Sequence, residues 1–493
     1  MFNNLVNLPI ALITQSIIPR ILGPLNYGNY SFLTSFFTNI IDFFDSGTSI
    51  AFYTKLSRDQ KNNSLISFYW QFVIIVILIS FLLVSVVILL GYKSELWPGQ
   101  ITSYIYCALI LSILIWFFQI IIKILDAKGL TSKSEIFKFI QKSVLLIILI
   151  SFYTIGRIDL LTFFIIQYIV FALYIIMSFI YLRSEKISLF PIFKVDYKFY
   201  FIDFWSYVKP LFFAAFVTLV INLIDRLLLQ KFYGSVEQGY FSLAIQVSVI
   251  CLIFTSSLTP IFTREFSIAH KEKNTKLEKK LFLKYTPLFY FIASFLSIFL
   301  AFKSNTILMF IGGTQYSQAQ TTIIIMALYP VHQTYGQLCS SVLYSKYMTK
   351  IYGKISILTM VFTFPISFYL LFPKSSFGLE LGSEGLAYKF IISQFTFVNI
   401  LLYYVCKTLR VNFLNIIRHQ LSVLAILVFL NILINYTVDL FVVNDYVNFI
   451  FSGFIYLILT LVYIIINPKI ISLSRRKINY YLLYLKYQRN GLK

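Results

Sequence analysis

Apolar residues fall into long runs separated by short polar segments, and this alternation continues from one end of the 493-residue chain to the other. The runs lie at roughly 4–22, 28–53, 65–91, 101–124, 135–156, 159–182, 204–230, 238–262, 284–311, 318–344, 351–372, 384–406, 420–442 and 446–467. Each approaches the ~20 residues that a helix needs to cross a hydrocarbon core. The pattern predicts an all-α polytopic membrane protein of about fourteen transmembrane helices. Asp42 and Asp45 interrupt the second run, and the last two meet around Asn444-Asp445.

The junction between the first two runs is distinctive. Between Ile17 and Tyr30 the chain places Arg20, then breaks helix at Gly23-Pro24 and at Gly28, and a new apolar run begins at once. A degenerate echo comes about two hundred residues later, with Arg226, Gly234 and Gly239-Tyr-Phe-Ser242. Repetition of one device predicts two halves of one transporter-like body. The expected division is an N-lobe over 1–182, a linker at 183–203 and a C-lobe over 204–406, then two further helices over 407–467 and a tail from 468 to 493.

Composition agrees with the bilayer as solvent. Hydrophobic residues make up 59% of the chain and charged residues 12%, against about 25% charge in an ordinary soluble domain, and the mean hydropathy is +0.82. The net charge of +22 raises the question of a nucleic-acid surface. The positions of the charges answer it. With the N-terminus inside and the spans alternating, inside segments and their flanks hold 33 Lys and Arg residues, outside ones 6, and Arg226 and Lys389 lie within spans. That asymmetry predicts cytoplasmic termini and basic residues facing anionic headgroups, with no nucleic acid as partner. The first run lacks a basic leader and a small-residue cleavage site, so it reads as a retained span. Cys107, Cys251, Cys339 and Cys406 lie far apart in apolar runs, with neither metal-ligand spacing nor a disulfide framework.

Outer loops such as 156–159 and 443–445 leave no room for a catalytic domain. The largest polar inner segments are 183–203 and 263–283; the first is amphipathic over 187–197, as a surface-lying linker would be, and 480–486 reads as a second interfacial helix. Tyrosines near run ends suit an interfacial belt, although a coding bias toward Phe, Tyr, Ile and Lys accounts equally for the 19% aromatic content.

Four motifs occur in a familiar order: Arg20-x-Leu-Gly-Pro-x-x-Tyr-Gly-x-Tyr30 with Asp45-Ser-Gly-Thr-Ser-Ile-Ala51; Asp225-Arg226 with Gly239-Tyr-Phe-Ser-Leu-Ala-Ile-Gln246; Gly312-Gly-Thr-Gln-Tyr-Ser-Gln-Ala319; and Leu381-Gly-Ser-Glu-Gly-Leu-Ala387. Over roughly residues 1–400 the chain thereby resembles the Wzx-type polysaccharide (O-antigen) flippases of the multidrug/oligosaccharidyl-lipid/polysaccharide exporter superfamily; the last two spans carry no such motif. The resemblance implies two six-helix lobes around a central cavity plus two C-terminal helices, in a bacterial inner membrane. It implies alternating-access transfer of undecaprenyl-diphosphate-linked oligosaccharide units for lipopolysaccharide and related surface polysaccharides. It also implies a polysaccharide polymerase and a chain-length regulator as partners, besides membrane lipids.

Such cargo must bring a diphosphate and sugars across a low-dielectric layer, which fixed cations make less costly. Arginine suits phosphate because its guanidinium forks onto two oxygens and keeps its proton. Arg20 and Arg226 are therefore the first candidates, with Lys389 and Gln246 as further substrate contacts. Competing readings are a snorkelling Arg20 or Lys389, and a local pair of Arg226 with Asp225. Asp42 and Asp45 share a helical face, so two adjacent carboxylates form a candidate coupling site, to which Asp225 and His332 are added. The alternative is that Asp45 caps a break at Gly47 while Asp42 pairs with a cation. Gln119, Gln167, Gln333, Gln337 and Gln394 fit sugar contacts or interhelical links.

No nucleotide-binding Gly-Lys-Ser/Thr loop, zinc-protease motif or Asp-x-Asp is found, so the chain is read as a transporter without enzyme chemistry or cofactor. Two rivals remain on the sequence. A drug/cation antiporter of the same superfamily would place carboxylates at the centre, and a polysaccharide polymerase or ligase would carry a long polar outer loop.

Overall fold

The computed structural model describes residues 2–45, 47–156, 158–185, 195–442 and 444–472. Among these residues sixteen α-helices occur in order: α1 (Phe2–Asp45), α2 (Thr48–Arg58), α3 (Asn63–Leu89), α4 (Lys93–Leu96), α5 (Thr102–Ala127), α6 (Thr131–Ile155), α7 (Leu160–Ser184) and α8 (Tyr197–Lys271); then α9 (Thr275–Phe302), α10 (Ser304–Ile311), α11 (Gln320–Ala327), α12 (Tyr329–Ser345), α13 (Thr349–Leu371), α14 (Gly382–Leu409), α15 (Phe413–Val438) and α16 (Asp445–Ile466). Among the described residues there is no strand. The chain is an all-α, multi-pass membrane protein.

Among the described residues ten helical stretches are individually long and apolar enough to span. The fourteen apolar runs map onto the helices once two kinks are recognised. α1 is broken at Gly23 (φ 70, ψ 169), so one helix carries the first run and most of the second. α8 is broken at Gly234 (φ 76, ψ −169) and carries the seventh and eighth runs. Only glycine adopts such dihedrals without strain, because a Cβ would collide with the flanking backbone. The tenth run is divided between α11 and α12, with Pro330 in the first turn of α12; there the missing N–H of proline costs nothing.

Two compact units emerge: Met1–Ser242 with Ile311–Tyr316 and Phe364–Leu386, and Leu243–Phe310 with Ser317–Thr363 and Ala387–Lys493. The division falls within α8. In the first unit, Phe36 and Phe37 close on Trp97 at ring separations of 5.5 and 5.9 Å, and Phe52 stacks on Tyr69 at 4.3 Å. In the second, Tyr456 stacks between Phe295 and Phe299, at 4.5 and 5.6 Å. The aromatic surplus of the sequence thus also builds cores. Leu82, Phe429 and Ile450 are about two-thirds exposed, as lipid-facing side chains should be.

Of the expected surface linker, 186–194 lies outside the described residues, as does the tail helix at 480–486. The chain is helical again from Tyr197. Tyr200 and Phe204 turn inward onto Phe68, whereas Tyr197, Phe199 and Phe201 are exposed.

Candidate functional site

The two kinked segments of the first unit pack directly on each other. Gly23, Gly28 and Ser31 recur as Gly234, Gly239 and Ser242 at a constant offset of 211 residues. A methyl group added at Gly28 would lie 1.6 Å from the carbonyl oxygen of Ser235, and one at Gly239 would lie 2.3 Å from that of Pro24. Pro24 and Ser235 are themselves equivalent by the same offset. Each glycine therefore admits the backbone of the other segment, so close that the carbonyl sits where an α-hydrogen points. Tyr27 and Tyr240 both meet Tyr316 edge-on, at 6.5 and 6.0 Å.

Polar side chains converge on this junction. Gln100 Nε2, from the loop before α5, donates to Asn29 Oδ1 at 2.8 Å and to Ser235 Oγ at 3.2 Å. Gln230 Nε2 donates to Ser235 Oγ and to the Pro98 carbonyl, at 2.9 and 3.0 Å. Ser31 and Ser242 hydroxyls share a hydrogen bond of 2.5 Å.

Arg226 lies beside them, two turns before the Gly234 kink. Its Nη1 donates to Gln238 Oε1 at 2.9 Å and to Ser242 Oγ at 3.1 Å, and the guanidinium carbon sits 4.7 Å from the centre of the Phe241 ring. Gln238 Nε2 returns a bond to the Arg226 carbonyl at 2.5 Å. Asp225, 2% exposed, accepts from Ser367 Oγ at 2.6 Å. The arginine is thus aimed by neutral hydrogen-bond partners, with the buried carboxylate of Asp225 adjacent in sequence and acting on its charge.

Arg20 is half-buried, three residues before the Gly23 kink, and its carbonyl accepts from Gln315 Nε2 at 3.0 Å. It is not the counterpart of Arg226: the constant offset pairs Arg20 with Lys231, which is bound to Glu95 at 2.8 Å, and pairs Arg226 with Gln15. Lys389, 5% exposed, lies 5.8 Å from the Phe390 ring centre, in the second unit. His332 stacks on Phe395 at 4.8 Å, and Gln394 donates to Gln333 beside it. Gln246 is half-buried on α8, also in the second unit.

The acidic pair on α1 separates into two environments. Asp42 is exposed. Asp45 accepts from Tyr69 OH at 3.1 Å, Trp116 Nε1 at 2.9 Å, Ser49 Oγ at 2.7 Å and Lys123 Nζ at 3.2 Å. The sequence reading in which Asp42 takes the cation is corrected: Asp45 takes it, because α5 brings Trp116 and Lys123, two turns apart, to the same side of α1. Lys123, Gln100, Gln230 and Gln238 were all missed as partners. The fixed glycine spacing could have flagged Gln238; nothing local marks the others.

Residues 1–266 match the family described as polysaccharide biosynthesis protein. No curated protein matches the chain. Among solved structures it is similar to the lipid II flippase MurJ in an inward closed conformation, at 17% identity over 94% of this chain and 98% of that one, with a TM-score of 0.64. It is also similar to an inward-facing multidrug resistance MATE family transporter of the MOP superfamily, at 11% identity over 82% of this chain and 94% of that one, with a TM-score of 0.60. At these identities the likeness is one of fold.

Proposed function

We propose a function from one premise: the chain belongs to the polysaccharide biosynthesis protein family. It is a flippase that carries an undecaprenyl-diphosphate-linked oligosaccharide across a bacterial inner membrane by alternating access, for O-antigen lipopolysaccharide or a related surface polysaccharide. A polymerase and a chain-length regulator act on its product. Its termini are cytoplasmic, which places the Asp45 end of the first unit inside and the paired kinks outside, in line with the 33 to 6 distribution of basic residues.

The observation that carries this reading is Arg226. An ionised side chain within a membrane span is costly, and here its hydrogen-bond partners are the neutral oxygens of Gln238 and Ser242. A guanidinium whose direction is fixed by neutral hydrogen-bond partners suits a diphosphate, whose lost hydration the protein must offset. Arg20, Lys389 and Gln246 are assigned to the same cargo as secondary contacts. Asp45 is saturated by four donors, which leaves Asp42 as the carboxylate of that pair accessible to a coupling ion, with Asp225 and His332 as further candidates.

The test uses purified protein in proteoliposomes and a fluorescent short-chain polyprenyl diphosphate oligosaccharide. Arg226→Ala should abolish translocation, Arg226→Lys should retain a fraction, and both should fold. Wild-type rates in Arg226→Ala would refute the assignment.

A further inference from the structure

The second unit contains a cavity of about 570 Å³ where α9, the loop between α14 and α15, and the chain after α16 meet. That volume lies within the 300–1,000 Å³ range usual for small-ligand sites. Its lining includes Lys279, Arg410, Asn412 and Asn415 as well as Phe282, Leu283, Pro287 and Ile416, and no acidic residue among the described residues.

The cavity is built rather than incidental. Lys279 Nζ donates to the Arg410 carbonyl at 2.9 Å, which fixes the two cationic residues relative to each other. Arg410 has a φ of 53°, a left-handed conformation that a non-glycine residue seldom adopts. Ser472 Oγ donates to the Leu283 carbonyl at 2.9 Å and so ties two lining residues together. Three lining residues keep buried polar atoms without a hydrogen-bond partner among the described residues, Thr286 Oγ1, the Tyr335 hydroxyl and His419 Nδ1. His419 Nε2 lies 2.6 Å from the Ile470 carbonyl. A carbonyl can only accept, so Nε2 carries a proton, and in the neutral ring Nδ1 then keeps a lone pair for a donor.

We infer that this cavity binds the headgroup of an anionic phospholipid that carries hydroxyls, phosphatidylglycerol in type. Lys279 and Arg410 take the phosphate. His419 Nδ1 accepts from a headgroup hydroxyl, and Thr286 Oγ1 can serve the same group. Leu283, 38% exposed, and nearby Leu414, 69% exposed, offer apolar surface for the acyl chains. Basic pockets among membrane helices, with apolar surface next to them, suit an amphiphile better than a free ion. The site is separate from Arg226 and does not depend on the flippase reading.

The experiment measures thermal unfolding of the full chain in neutral detergent, titrated with phosphatidylglycerol, phosphatidic acid, phosphatidylcholine or inorganic phosphate. Phosphatidylglycerol should stabilise the wild type at the lowest concentration. In Lys279→Gln/Arg410→Asn its half-saturating concentration should rise roughly 25-fold, each basic residue at a lipid surface contributing about a factor of five. Both substitutions suit the fold, since Gln keeps a donor for the Arg410 carbonyl and Asn tolerates positive φ. Arg264→Gln, at an exposed position in the same unit, should change nothing. His419→Leu should erase the preference for phosphatidylglycerol over phosphatidic acid. An unchanged titration in the double variant, equal stabilisation by phosphatidylcholine, or equal stabilisation by inorganic phosphate would each overturn the proposal.

Discussion

Ser31 and Ser242 stand at equivalent positions in the two kinked segments, 211 residues apart in sequence, and their hydroxyl oxygens are 2.5 Å apart. Contact between equivalent residues places them on a local two-fold axis. The reciprocal contacts of Gly28 with Ser235 and of Gly239 with Pro24 are what such an axis requires, because a residue i touching j implies that the equivalent of i touches the equivalent of j. The repeat is therefore an interface, and each copy of the motif is the other's packing partner.

Gly28→Ala tests that interface. Its methyl would lie 1.6 Å from a backbone oxygen that no rotamer change can move. Overpacking of this kind costs about 1–3 kcal/mol, and more where backbone must shift. The expected result is a lowered unfolding midpoint for Gly28→Ala and for Gly239→Ala, with the double variant losing less than the sum, since both open the same junction. Full additivity in thermal unfolding would mean that the two contacts are independent.

Gly234→Ala separates backbone strain from crowding. Nothing lies within 4 Å of a Cβ added there, yet φ is 76° with ψ near −170°, a region costing about 1–3 kcal/mol for any other residue. Gly353, inside α13, likewise has open space but an ordinary helical backbone. Gly353→Ala should raise stability by roughly 0.5–1 kcal/mol, and Gly234→Ala should lower it. Denaturant or thermal midpoints of the two variants should move in opposite directions.

The spans and the kinks at Gly23 and Gly234 were legible in the sequence because they depend on local signals: apolar run length, and glycine beside proline or tyrosine; the further break expected at Gly28 is not made, because α1 stays helical there and Gly28 serves instead as a close-contact point. The pairing of the kinks was half legible. An echo anchored on arginine pairs Arg20 with Arg226, whereas the structure sets the register by Gly23-to-Gly28 and Gly234-to-Gly239, which makes Lys231 the counterpart of Arg20. The surroundings of Arg226 and Asp45 were not legible. Gln238 is supplied across the kink of the same helix, and Lys123 and Trp116 come from a helix more than seventy residues away. No periodicity in a single run encodes contacts at that range.

Glu278, 2% exposed at the start of α9, accepts from Lys346 Nζ at 2.7 Å and faces His270 Nδ1 at 3.1 Å. Removing one partner of a buried pair strands the other, at a cost of about 3–5 kcal/mol. Glu278→Met should therefore destabilise the protein severely. Glu278→Met/Lys346→Met should recover most of that loss, because no unpaired charge remains. A double variant as unstable as the single one would show that His270 or local packing, and not the stranded lysine, sets the cost.

Asp45 and Asp42 make the sharpest functional contrast, one turn apart on α1 with opposite surroundings. Asp45 is bound by Lys123, Trp116, Tyr69 and Ser49, so Asp45→Asn turns an amide N–H₂ toward groups that are themselves donors. It should destabilise the fold, while Asp45→Asn/Lys123→Met recovers part of the loss. Asp42 is exposed, and Asp42→Asn should leave stability within about 0.5 kcal/mol of the wild type. If Asp42 carries the coupling ion, translocation by Asp42→Asn in proteoliposomes should no longer respond to an imposed pH or sodium gradient. Asp45→Asn, once stabilised by the second substitution, should still respond. Gradient dependence retained in Asp42→Asn and lost in the Asp45 variant would reverse the two roles and make the Lys123 pair the coupling element.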